Sequence, residues 1–173
     1  MNITMKKKLI VTSLLAASVF ASAANAGTFN ITGSIASTPC VADAAITDIQ
    51  MPLINKDKLG TTAGEFSELS ATDLTIKLTN CPNVTQTATV TFNGKTDTNE
   101  PKALELANVK GVALAVFEEN GTDQIAIGQA AKGQALTSSA TKNLNYKVKY
   151  VTTSEPFQEG NATATLNFDV AYN

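Results

Sequence analysis

Apolar and polar residues alternate with a period of two along most of the chain after residue 27, and this most restricts its fold. Successive side chains of a strand point to opposite faces, so such alternation marks half-buried β-strands. Phe29, Ile31, Gly33 and Ile35 share one face, against Thr28, Asn30, Thr32 and Ser34 on the other. Leu74, Ile76 and Leu78 alternate with Thr75, Lys77 and Thr79, leading into Asn80-Cys81. Val84 to Phe92 is Thr-rich and stops at Asn93-Gly94. Val112, Leu114 and Val116 alternate with Ala113 and Ala115 and end at Asn120-Gly121. Ile125 and Ile127 make a short strand closed by Gly128. Leu144, Tyr146, Val148 and Tyr150 oppose Asn145, Lys147 and Lys149, and Leu166, Phe168, Val170 and Tyr172 oppose Thr165, Asn167, Asp169 and Ala171. Only Pro101 to Val109 and Ala63 to Ala71 read as short helical turns. Many short strands bounded by turn signals, with no repeat and no linker, predict an all-β antiparallel sandwich.

The first residues read as an address. Lys6, Lys7 and Lys8 precede an uncharged run from Leu9 to Phe20, and Ala21-Ser22-Ala23 and Ala24-Asn25-Ala26 offer small-x-small cleavage sites. That is the pattern of a secretory signal peptide over residues 1–26. Cleavage after Ala26 is favoured, because Gly27 begins a new pattern, with cleavage after Ala23 as the alternative. The apolar run is shorter than the roughly 20 residues of a membrane span, so no membrane insertion is expected.

Removing the leader leaves ten Lys against 15 acidic residues, a net charge of −5. Counter-ion release needs a cationic surface, so nucleic acid is not an expected partner. The chain has neither His nor Arg. That excludes the Ser-His-Asp and Cys-His nucleophile systems, imidazole zinc ligands and the bidentate phosphate fork. No enzyme and no cofactor are expected. Two cysteines in an exported chain most simply form one disulfide, Cys40 to Cys81. It would be worth about 4 kcal/mol by the chain-entropy argument. Free redox thiols would want a Cys-x-x-Cys spacing or an activating cation, and neither is present.

Other candidates are weak. Glu118-Glu119 and Asp97 to Glu100 sit beside turn signals and read as solvated loop acids. Lys147 and Lys149 read as solvent-facing charges that discourage edge pairing. Gly128 to Gly133 lacks the spacing of a phosphate-cradling loop.

The two ends carry the strongest signal. An alternating strand precedes the first Cys, and another closes the chain. Gly27-Thr28-Phe29-Asn30-Ile31-Thr32-Gly33-Ser34-Ile35, then Pro39-Cys40, then Asn80-Cys81-Pro82 and Gly111-Val112-Ala113-Leu114, lead to Phe168-Asp169-Val170-Ala171-Tyr172-Asn173. In this order they resemble the type 1-like fimbrial subunits assembled by a periplasmic chaperone and an outer-membrane usher. Each motif alone is weak; together, across residues 27–173, they are specific.

The resemblance implies an immunoglobulin-like sandwich that lacks its last strand and is completed by a donor strand from a partner, a system named among the examples of β-strand addition. Residues 27–38 would be the donor extension, with Phe29, Ile31, Gly33 and Ile35 as its inserting face, and residues 39–173 the sandwich domain. Leu166, Phe168, Val170, Tyr172 and Asn173 would form the C-terminal strand that faces the chaperone, which the next subunit's extension later replaces in the groove. The implied partners are neighbouring subunits in a head-to-tail polymer, the chaperone and the usher. The implied location is an extracellular fimbrium on a Gram-negative cell, reached through the periplasm, with a part in cell adhesion. On alternation alone, Phe29 to Ile35 could instead be the first strand of a self-sufficient sandwich. The alternative function is then a free-standing secreted module that binds carbohydrate or protein.

Overall fold

The computed structural model describes residues 32–34, 38–43, 48–137 and 140–173. The chain divides into two compact units, Met1–Ile35 and Ala36–Asn173, and every described strand belongs to the second. Within the first unit, Thr32, Gly33 and Ser34 are exposed.

Among the described residues nine strands follow one another: β1 (Val41–Ala42), β2 (Thr72–Thr79), β3 (Gln86–Asn93), β4 (Leu104–Glu105), β5 (Val112–Glu118), β6 (Gln124–Ile125), β7 (Gln134–Leu136), β8 (Thr141–Thr152) and β9 (Asn167–Tyr172). Two short 3-10 turns, Lys56–Lys58 and Glu68–Ser70, lie between β1 and β2. One sheet has the order β1-β2-β8-β5-β4, with β6 also on β5, and the other the order β7-β3-β9. Every pairing of these strands is antiparallel.

The alternating residues meet between the sheets. Ile76 and Leu78 of β2, and Leu144, Tyr146 and Val148 of β8, pack in one cluster with Ala88, Val90 and Phe92 of β3. The Phe92 and Tyr146 rings meet edge to face at 5.0 Å, joining the layers. Thr87, Thr89 and Thr91 alternate with the buried residues of β3, as β-branched residues do on a pleated half-buried surface. Cys40 and Cys81 form a disulfide beside this core, tying the residue before β1 to the end of β2.

β5 departs from simple alternation and is buried on both faces. Ala113, Ala115 and Phe117 form a second cluster with Ala103 and Val151, and Phe66 stands edge-on to Phe117 at 4.9 Å. The stretch Gly64–Ser67 covers this face by bonding β8, with Gly64 N donating to Thr152 O and Ser67 N to Tyr150 O.

Some expectations need correction. Pro101 to Val109 is not helical: Leu104–Glu105 is a strand on β5, its register set by Leu114 and Ala113. Lys149 is not solvent-facing; its ammonium lies under the β5–β6 turn, with its side chain 4% exposed. Glu118 is buried rather than solvated, and accepts a 2.7 Å hydrogen bond from Lys132 N. Asp97 is buried too, its Oδ1 accepting from Asn99 N and Glu100 N to close its own turn.

Candidate functional site

The functional geometry lies along β9. Its one described neighbour is β3, paired from Asn93–Asn167 to Ala88–Tyr172. Thr87 N donates to Asn173 O at 2.9 Å, and Asn173 N returns a bond to Thr87 O at 3.1 Å. In an antiparallel ladder, such bonded pairs alternate with non-bonded ones. The pairs bonded to β3 are therefore Thr89–Ala171, Thr91–Asp169 and Asn93–Asn167. The opposite edge of β3 confirms the phase, because Val90 O accepts from Ala131 N and Phe92 O from Gly128 N.

The backbone N–H and C=O groups of Phe168, Val170 and Tyr172 consequently point away from β3. Among the described residues, no strand meets them. An unpaired edge of this kind is a template for another chain.

The same three residues, with Leu166, carry the side chains that face the sandwich interior. All four are only half-buried, whereas their core partners Val90 and Phe92 are 0% and 1% exposed. Asn167, Asp169 and Ala171, on the outer face, are exposed. The Tyr172 hydroxyl has no hydrogen-bond partner among the described residues, and burial pushes its pKa up. Backbone valence and incompletely covered apolar surface thus fall on one line of residues. Extended backbone carrying apolar side chains on one face satisfies both.

Leu166, Phe168, Val170, Tyr172 and Asn173 are the C-terminal residues singled out by the sequence; the structure places Phe168, Val170 and Tyr172 on β9, with Leu166 and Asn173 flanking it. Phe29, Ile31 and Ile35 lie outside the described residues. Gly33 is described and exposed, and a Cβ built on it would meet no heavy atom within 4 Å. Sequence reasoning missed Thr87, whose backbone sets the phase of the edge. Nothing in a Thr-rich strand says which neighbour its odd-numbered residues will bond. Among the described residues there is no cluster of three or more acidic or sulfur ligands able to hold a metal, and no helix long and apolar enough to cross a membrane.

The family profile for fimbrial protein matches residues 29–173. The chain belongs to the fimbrial protein family. This fimbrial subunit is 31% identical over 183 residues to the laminin-binding fimbrial subunit ElfA of Escherichia coli O157:H7, covering 96% of this chain and 99% of ElfA. It is 27% identical over 178 residues to the probable fimbrial subunit LpfE of the same organism, covering 96% and 98%. Among solved structures it resembles an antigen and type I fimbria protein of Burkholderia pseudomallei, 31% identical with a TM-score of 0.59, over 84% of this chain and 97% of that one. It shares the fold of PapA, the P pilus rod subunit, with a TM-score of 0.66 and 21% identity over 79% of this chain and all of PapA. The immunoglobulin-like sandwich expected from the sequence is thus the observed fold. As a structural fimbrial subunit it is exported and polymerises with other subunits into an extracellular fimbria.

Proposed function

We propose that this subunit polymerises by lending residues 27–38, freed when the leader 1–26 is removed, to the β9 edge of the next copy's 39–173 domain. Phe29, Ile31, Gly33 and Ile35 form the inserted face. Leu166, Phe168, Val170, Tyr172 and Asn173 receive it, after first being covered by the chaperone. One observation carries this: the outward N–H and C=O groups of β9 belong to the same residues whose apolar side chains are incompletely buried. Gly33 is consistent with it, because among the described residues nothing lies within 4 Å of a Cβ built there.

The energies suffice. Burying Phe29, Ile31 and Ile35 is worth about 1.5–3 kcal/mol each. Each ladder bond adds about 0.5–1.5 kcal/mol. Together these are comparable to the whole stability of a typical domain, about 5–15 kcal/mol. Joining copies therefore completes folding, and the head-to-tail contact yields an open filament instead of a closed ring. Attachment to host or surface follows from the fibre, and the subunit carries no catalytic step.

The test is assembly of the full chain in cells that supply its chaperone and usher. Ile31→Asp places a carboxylate on the inserted face and should abolish surface fibres in electron micrographs while leaving the chaperone-bound subunit intact. Normal fibres from Ile31→Asp would refute the donor role of this arm.

A further inference from the structure

We propose that Asn161 is an acceptor for an N-linked oligosaccharide, attached to the folded domain by a transferase of bacterial type. This site is independent of the donor arm proposed above.

Asn-x-Thr, with x other than proline, is the acceptor motif for N-glycosylation. It occurs on described residues at Asn83-Val84-Thr85, Asn120-Gly121-Thr122 and Asn161-Ala162-Thr163. The bacterial form of the motif adds an acidic side chain two positions before the Asn, which a cation in the enzyme cleft can hold as a charge-assisted pair. For Asn83 that position is Cys81, which is tied up in the disulfide. For Asn120 it is Glu118, and for Asn161 it is Glu159. The motif therefore leaves two candidates, and the fold chooses between them.

Asn120 is locked inside the β5–β6 turn. Its Oδ1 accepts from Thr122 N at 3.0 Å and Asp123 N at 3.1 Å, and its Nδ2 donates to Asp123 Oδ2 at 3.1 Å. Such an Asx turn engages the very amide that would have to react. Gly121 is buried with its carbonyl held by Lys149, and Glu118 is buried against Lys132 N. Neither the amide nor the acid can enter an enzyme cleft unless the turn opens.

Asn161 has the opposite setting. It lies in a loop between two bridges, Lys110–Gln158 and Ala107–Thr163, whose backbone bonds fasten both ends. Glu159, Gly160 and Asn161 are exposed between them, as is Thr163. The Asn161 side-chain amide has no hydrogen-bond partner among the described residues, while its backbone oxygen accepts from Asn108 Nδ2 at 3.5 Å. Gly160 lets the loop cross close over residue 108, since a Cβ there would stand 2.0 Å from Asn108 O. Exposed loop tips are where a folded chain is most open to modifying enzymes.

The co-substrate is an oligosaccharide carried on a lipid diphosphate. The Asn161 amide nitrogen attacks C1 of its first sugar, the N–C1 bond forms and the C1–O bond to the diphosphate breaks. The lipid diphosphate leaves with the electron pair, and the amide gives one proton to the enzyme's base. The product carries a bulky, solubilising group on the surface of each copy.

The test uses the full-length subunit bound to its chaperone, purified from cells that lack such an enzyme. It is incubated with a purified bacterial oligosaccharyltransferase and a lipid-linked oligosaccharide, beside synthetic peptides of residues 116–124 and 157–165. Both peptides should be glycosylated, because each carries the whole motif. The folded subunit should gain the mass of a single glycan, placed on Asn161 by tandem mass spectrometry. Asn161→Gln and Glu159→Gln should each lose that mass gain, and Asn120→Gln should keep it. A peptide 157–165 that is not modified, or a folded subunit left unmodified while that peptide reacts, would overturn the site. Glycan on Asn120 of the folded subunit to the same extent as on Asn161 would overturn the selection by the fold.

Discussion

The ammonium of Lys149 donates to the carbonyl oxygen of Gly121 at 2.7 Å, pinning the β5–β6 turn to the face of β8. The same nitrogen lies 2.6 Å from both Glu68 carboxylate oxygens and 5.0 Å from the centre of the Phe117 ring. One buried cation thus joins the turn, the 3-10 segment Glu68–Ser70 and the sheet.

The three contacts should contribute unequally. Lys149→Met keeps the apolar stem and removes the charge, stranding the Gly121 carbonyl. A hydrogen bond to a charged group is worth about 1.5–3 kcal/mol, and the loss should approach that in chemical denaturation. Glu68 is 75% exposed, so Glu68→Gln should cost under about 1 kcal/mol. Equal losses from both variants would show that the ion pair, and not the turn contact, dominates.

Two glycines with positive φ should separate strain from collision. Gly111 has φ +76°, and a Cβ there would stand 2.7 Å from Glu155 O and 2.8 Å from Phe157 Cα. Gly128 has φ +81°, with nothing within 4 Å of a Cβ. Gly128→Ala should cost about 1–2 kcal/mol for the left-handed backbone alone. Gly111→Ala meets backbone as well, and its denaturation midpoint should fall clearly further. Matching midpoints would mean that the Glu155–Phe157 loop simply moves aside.

Alkaline pH should weaken the domain through Tyr146. Burial, with a smaller contribution from the nearby Glu118 charge, pushes its pKa up to about 12 from the usual 10.0. The folded state therefore retains a proton that the unfolded chain gives up above pH 10. Stability is unaffected below that point and falls as pH rises from about 10 to about 12, by at most about 1.4 kcal/mol per pH unit. Burial also raises Tyr150 and Tyr172, which add to the same slope. Thermal midpoints between pH 8 and 12 should decline over this window, and less so in Tyr146→Phe. A flat profile in the parent protein would rule the effect out.

Loss of the arm should be reversible from outside. A domain beginning at Pro39 should melt at a lower temperature than the assembled subunit. A synthetic peptide of residues 27–38 should raise that midpoint, and the same peptide with Gly33→Leu should raise it far less. A truncated domain that is monomeric and indifferent to the peptide would favour a self-sufficient module.

The long strands were legible because each buries one face. The alternation of Leu74 to Leu78, Val84 to Phe92, Leu144 to Tyr150 and Leu166 to Tyr172 maps onto β2, β3, β8 and β9. The two- and three-residue strands β4 and β7 were not, because so short a stretch holds no periodicity and its pairing is set by what lies opposite. Burial of Lys149 was hidden for a related reason. Its partners Gly121 and Glu68 lie 28 and 81 residues away, so a lysine alternating with Tyr150 looked solvated. The C-terminal strand could be placed from its alternation, and the role proposed for it came only from the family resemblance. The direction of its hydrogen bonds came only with the neighbour, because side-chain alternation cannot tell which edge of a strand is taken.

The bond between Cys40 and Cys81 has a mechanical consequence. A fibre under tension would pull each subunit by its N-terminal segment, and that pull first enters the domain near Cys40. Among the described residues, β1 pairs only at Val41–Thr79 and Ala42–Leu78, with one further bond from Asp43 N to Lys77 O, and these could peel away one rung at a time. The covalent link passes the load directly to the end of β2, whose eight rungs with β8 must then be sheared together. Under reducing conditions the fibre should yield at lower force, starting from that corner.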